Sequence, residues 1–211
     1  MKFPAKHSED FAPVPAGAHV AICTGVIDLG LQPGSTQYPD PKPQVYLRFE
    51  LPGERIKYTK DGRETEGPMS IGRTFTASMG TKANLRKFVE SWRGASFTDA
   101  QAADFDFKNL LGHRCLLNVT HKQTPDRIYA NIMTATPLPK GMTSTDPQHN
   151  ASVYYSLEEP NPAVFAALPD WLKKKITERL QPEQHDSDPG YDKRDMAIAG
   201  ELSGADDDIP F

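Results

Sequence analysis

Along the first two-thirds of the chain apolar and polar residues mostly alternate with a period of two, and a helical period interrupts that alternation near its middle. Residues 19–29 (HVAICTGVIDL) carry Val20, Ile22, Val26 and Ile27 around Gly25, which predicts a strand bent or bulged at the glycine. Residues 30–43 contain Pro33, Gly34, Pro39, Pro41 and Pro43 and predict a loop. From Gln44 to Leu51 the alternation is clean: Val45, Leu47, Phe49 and Leu51 form a core face, and Tyr46, Arg48 and Glu50 lie opposite. Pro52-Gly53 predicts a turn, residues 55–58 a short strand, and Asp61-Gly62 the tight turn of a hairpin. Residues 71–78 (IGRTFTAS) read as the next strand, with Arg73 and Phe75 as its larger side chains.

The period then changes. Within residues 81–93, Leu85, Phe88, Val89 and Trp92 recur at i, i+3, i+4 and i+7, and Gly94 follows, which predicts an amphipathic helix with a glycine cap and a core-facing aromatic stripe. Thr98 and Gln101 form the capping box of a second, short helix. Strands resume at 113–122, with Cys115, Leu117 and Val119 inward. After a turn at Pro125-Asp126, residues 127–136 place Ile128, Ala130 and Ile132 inward and Tyr129, Asn131 and Met133 outward. Three strands, a helix and two strands is the element order of the OB-fold, a five-stranded Greek-key barrel that binds oligonucleotides across its second and third strands. The predicted class is therefore mainly β. An extended, proline-rich arm (1–17) leads into an OB barrel (18–142). A C-terminal extension follows (143–182), with a helix from Asp170 to about Leu180, and then a disordered acidic tail (183–211).

Charge separates the two ends of the chain. Residues 1–143 hold 18 Lys and Arg against 14 Asp and Glu, whereas residues 144–211 hold 6 against 14. A mildly basic body with a strongly acidic end suits a protein that touches phosphates with one part and other proteins with the other. No apolar run approaches the roughly 20 residues that cross a bilayer, and the start, Met1-Lys2-Phe3-Pro4, lacks the apolar core of a signal peptide; an intracellular protein without a membrane partner is expected. Cys23 and Cys115 stand alone in apolar stretches, without the spacing of a zinc site, and read as buried, reduced thiols.

Non-specific binding of a single strand needs cations that follow phosphates and exposed ring faces on which bases stack. The outward positions of the predicted strands offer both. Tyr46, Tyr58 and Tyr129 are candidate stacking rings, with Phe75 a further ring whose strand face also carries Ile71 and Ala77. Arg48, Lys57, Arg73, Lys122 and Arg127 are candidate phosphate contacts. Lys173-Lys174-Lys175 reads as a solvated helix face, and Asp104/Asp106 as solvated or capping. No phosphate loop, HExxH, GxSxG or Cys/His pairing is present, and the six histidines (7, 19, 113, 121, 149, 185) lack ligand spacing, so neither catalysis nor a metal or other cofactor is expected.

The chain ends Asp206-Asp207-Asp208-Ile209-Pro210-Phe211: three carboxylates, a rigid apolar pair, a ring and the terminal carboxylate in one extended segment. Proline reduces the freedom lost on docking, and a carboxylate beside a ring suits an apolar pocket rimmed by Lys or Arg. These six residues resemble, in kind and order, the C-terminal tip of bacterial single-stranded DNA-binding proteins, which recruits replication, recombination and repair proteins. Residues 80–88 and 91–94, and Leu168-Pro169-Asp170-Trp171-Leu172, look like segments of bacteriophage-encoded replication-accessory proteins. Together these resemble a phage-type single-stranded DNA-binding protein. That resemblance implies a protein of the bacterial host's cytoplasm that coats single-stranded DNA with little sequence preference. Its tip would recruit host or phage enzymes, and its long loops and extra helix favour a monomer or dimer over the bacterial tetramer. The alternatives are a replisome-associated adaptor whose barrel binds protein rather than DNA, and a nuclease or recombination mediator.

Overall fold

The computed structural model describes residues 12–181, apart from 35, 61 and 143–145. The arm through residue 11 and the whole predicted tail (183–211), with the tip Asp206 to Phe211, lie outside the described residues. The described part is mainly β. Five strands run antiparallel, β1 (Gly17–Gln32), β2 (Lys42–Lys60), β3 (Arg63–Thr76), β4 (Arg114–Gln123) and β5 (Ile128–Thr136), in the order β3-β2-β1-β4-β5. A short β6 (Val153–Tyr155) adds to β1 in parallel, Gly25 opposite Val153 through Ile27 opposite Tyr155. Between β3 and β4 lie α1 (Asn84–Arg93), α2 (Asp99–Ala103) and a 3-10 turn; α3 (Pro162–Ala167) and α4 (Asp170–Thr177) follow β6.

The sheet differs from the expected barrel in that no ladder joins its end strands, β3 and β5. It curls around the core instead, and α1 packs into the curl against β3 and β5. Leu85, Phe88, Val89 and Trp92 are all buried there, as the helical period predicts, and Gly94 takes the left-handed cap at φ 68°. Trp92 donates its indole N–H to the Arg114 carbonyl at 3.0 Å, so the ring's one polar atom is satisfied inside. Arg86 is buried as well, donating to Glu90, Asp99 and the Phe97 and Met79 carbonyls, which ties α1 to α2.

The expected turn at Pro52-Gly53 is a bulge. Leu51 pairs with Met69 and Arg55 with Pro68, so residues 52–54 loop out and β2 continues to Lys60, which pairs with Arg63. Proline has no N–H for a ladder, and the looped-out Glu54 carboxylate lies 3.0 Å from His19 Nδ1 of β1. A two-armed hairpin results, much longer than the short strands of the sequence reading.

The predicted bulge near Gly25 is present as a register shift between Cys23 and Gly25. Ala21 and Cys23 face the main core before it, Val26 takes the inward place after it, and Ile27 joins a second core with Leu29, Tyr155, Leu168, Leu172 and Ile176. That second core fixes β6, α3 and α4 on the outer face of the sheet. β6 and α3 lie in the extension, for which the sequence predicts only the helix from Asp170; Asn161 caps α3 by accepting from the Ala163 and Val164 amides, and Pro162 suits the first turn.

Cys23 and Cys115 are both fully buried, and burial pushes the Cys23 thiol up to about 12 and the Cys115 thiol higher still. The thiolate is the reactive form. A disulfide reagent at pH 8 should therefore leave both thiols of the native protein untouched over minutes and titrate both in denaturant; rapid native reaction of either would contradict the packing of β1 against β4.

Candidate nucleic-acid interface

A cleft of about 1020 Å³ opens between the β2–β3 hairpin and the β4–β5 hairpin. Ile56, Met69, Ile71 and Ile128 give it an apolar floor, and Tyr58, Arg127 and Tyr129 stand on its walls. Tyr58 reaches it because β2 continues past the bulge, and its ring lies against Gly67 of β3, where a Cβ would come within 3.1 Å of the ring. Arg127 and Tyr129 are set by the β4–β5 turn: the Thr124 amide donates to the Arg127 carbonyl at 3.0 Å, and the Thr124 hydroxyl donates to the same oxygen at 2.8 Å. The Arg127 guanidinium sits 4.4 Å over the Tyr129 ring, so cation and stacking face form one unit, with Lys122 directly across the ladder from Tyr129.

Two further walls hold the cleft's shape. On one side the Glu50 carboxylate, wholly buried, accepts from the His149 and Asn150 amides at 2.7 Å each and from the Asn150 side chain at 2.6 Å. On the other side the Val14 side chain is buried in the core and its carbonyl lies 2.8 Å from His121 Nε2, which holds the chain at Val14 just ahead of β1. Among the described residues no Asp or Glu lines the cleft.

The structure brings Tyr58, Arg127 and Tyr129 together and puts Lys122 beside them. The other candidates sit elsewhere. Tyr46 is half-buried, edge-on to Trp171 of α4 at 5.0 Å and pressed onto Gly72, and burial raises its phenol pKa, with Arg48 opposing. Arg48 donates to the Thr24 hydroxyl and carbonyl and to the Ala151 carbonyl. Lys57 is exposed and pairs with Glu64 at 2.9 Å. Arg73 donates from Nη1 to the Ile132 and Met133 carbonyls at 2.9 and 3.1 Å, and burial pushes its pKa down. Phe75 is core, 4% exposed and 4.9 Å from the Phe88 ring, because its strand face is the inward one.

Sequence reasoning missed Glu50, placed with Tyr46 and Arg48 on an outward face, and the 149–150 wall it holds. A carboxylate between Phe49 and Leu51 is the only local hint. Ile128, expected inward, does face that way but lies past the end of the core, 45% exposed in the cleft. Trp171, 47% exposed over Tyr46, was unforeseen.

No protein-family profile matches the chain, and no curated protein matches its sequence. Among the described residues no group of three or more His, Cys, Asp and Glu could hold a metal ion, and no helix is long and apolar enough to cross a membrane.

Glu50→Ala should cost about 3 kcal/mol, since it removes a buried carboxylate that accepts three charge-assisted hydrogen bonds. The check is a urea midpoint together with amide exchange at His149 and Asn150, which should speed up selectively; unchanged exchange there would mean that the loop is held by something else.

Proposed function

We propose that the protein coats single-stranded DNA with little sequence preference, and that the cleft between the two hairpins is where bases stack. The supporting observation is the convergence of Tyr58 from β2 with Arg127 and Tyr129 from β5 and its turn, segments about 70 residues apart, on one cleft that no described Asp or Glu lines. The strand path β3-β2-β1-β4-β5, with helices between β3 and β4, supports an OB-fold opened between its third and fifth strands. Catalysis plays no part in this reading. The setting is phage replication and recombination, and the tip Asp206 to Phe211 recruits partner enzymes. DNA and the tip compete, so that bound DNA leaves the tip free for partners.

A second reading, a protein-binding adaptor, has its own support: the floor is apolar and no ladder joins the facing edges of β3 and β5, where an extended peptide could pair on either side of the Arg73 contact.

Anisotropy titrations with oligo-dT and with duplex of equal length separate the two. Preference for the single strand is expected, with a loss of about 1–3 kcal/mol per ring for Tyr58→Ala and Tyr129→Ala; equal or absent binding of both DNAs favours the adaptor. Deleting Asp206 to Phe211 should leave strand affinity unchanged or raised while abolishing capture of host replication proteins. Weaker strand binding after the deletion counts against competition.

A further inference from the structure

The cleft is one end of a longer trough. Its lining shares Gly72 with a hollow of about 390 Å³ on the seam between β3 and β5. That hollow shares Arg73 and Thr74 with a third, of about 660 Å³, whose rim carries Lys42 and Lys82. The three follow β3 from Gly67 to Thr76, about 30 Å at the rise of a strand.

The sign of its charge says what such a trough takes. The chain has 28 Asp and Glu against 24 Lys and Arg. Among the described residues, those lining the three hollows nevertheless include Arg127, Arg73, Lys42 and Lys82 and not one carboxylate. An acid-free strip with cations at its two ends and its centre draws an extended polyanion along its length. The far end also repeats the chemistry of the near end. The Lys42 ammonium lies 5.8 Å over the ring of Tyr38, which is 63% exposed, as Arg127 lies over Tyr129. Thr74, Thr76, Ser78 and Asn131 supply hydroxyls and an amide between them, groups that bond phosphate and sugar oxygens.

We propose that Lys42 and Lys82 form a second phosphate-binding station, and that one DNA strand runs along the β3 edge from Tyr129 to it. The inference rests on the assignment of the cleft to single-stranded DNA, and it adds a minimum length: a strand must reach both ends to bind fully.

The test uses the full chain and oligo-dT of about 4 and about 16 nucleotides, the ends of the range for such folds. In K42Q/K82Q the long strand should lose roughly tenfold in affinity and its salt slope should fall by about 1.4, two phosphates at about 0.7 each, while the short strand binds as before. No loss on the long strand overturns the second station; so does an equal loss on both, which would mark a diffuse field rather than a contact. Y58A/Y129A should weaken both lengths. If that variant changes neither, the cleft assignment fails on its own, and if the unsubstituted protein binds neither strand, both proposals fall.

Discussion

One guanidinium stands where a ladder would close the sheet. β3 and β5 are the ends of the strand path, and Arg73 crosses between them with two hydrogen bonds to consecutive carbonyls of β5. Bonds from a charged donor contribute about 1.5–3 kcal/mol each, more than the neutral pairs they replace. The cost is partial desolvation of the charge, which its place 4.7 Å over the Phe75 ring and 6.0 Å from the Phe88 ring offsets. A ladder would have zipped the two edges along their length. A single crossing point holds the curl at its middle and lets the edges part on either side, so the cleft and the lysine-rimmed hollow exist because the sheet is stapled rather than closed.

The outer face of β2 shows the converse. Tyr46 and Arg48 lie on the strand face an OB-fold uses for oligonucleotides, yet the segment after β5 returns over it. β6 pairs with β1, α4 lays Trp171 against Tyr46, and the Ala151 carbonyl accepts from Arg48. Gln32, buried, donates to the Leu29 and Lys175 carbonyls and so welds α4 to β1. A ring and a cation that would have faced solvent become the floor of a second core. The open groups of the molecule are displaced towards the hairpin tips.

What could be read in the sequence was local. The period of α1, its glycine cap, the Thr98–Gln101 box, the hairpin joining β2 to β3 and the bulge by Gly25 each depend on residues a few positions apart, and each is found. What could not be read depends on distant partners. Pro52-Gly53 carries the residues of a turn, and only its place within a paired strand makes it a bulge. Arg73 and Arg48 have the same outward pattern as Arg127, but carbonyls 24 to 103 residues away claim them. Glu50 sits in a strand's polar register and is buried because a loop 100 residues later brings amides to it. Alternation says which face a side chain takes; it is silent on what covers that face.

The extra residue at Thr24 in β1 sets the address of the side chains that follow it, up to a second register shift between Asp28 and Gly30. Without it Ile27 would keep step with Ala21 and Cys23 and point into the main core, and α4 would have no apolar ground on the far side to land on. Because side chains in a strand alternate strictly, one amino acid inserted at Thr24 works like a half-turn of the ribbon. A single strand thereby serves two hydrophobic interiors in succession, and removing one residue there would turn the second of them inside out.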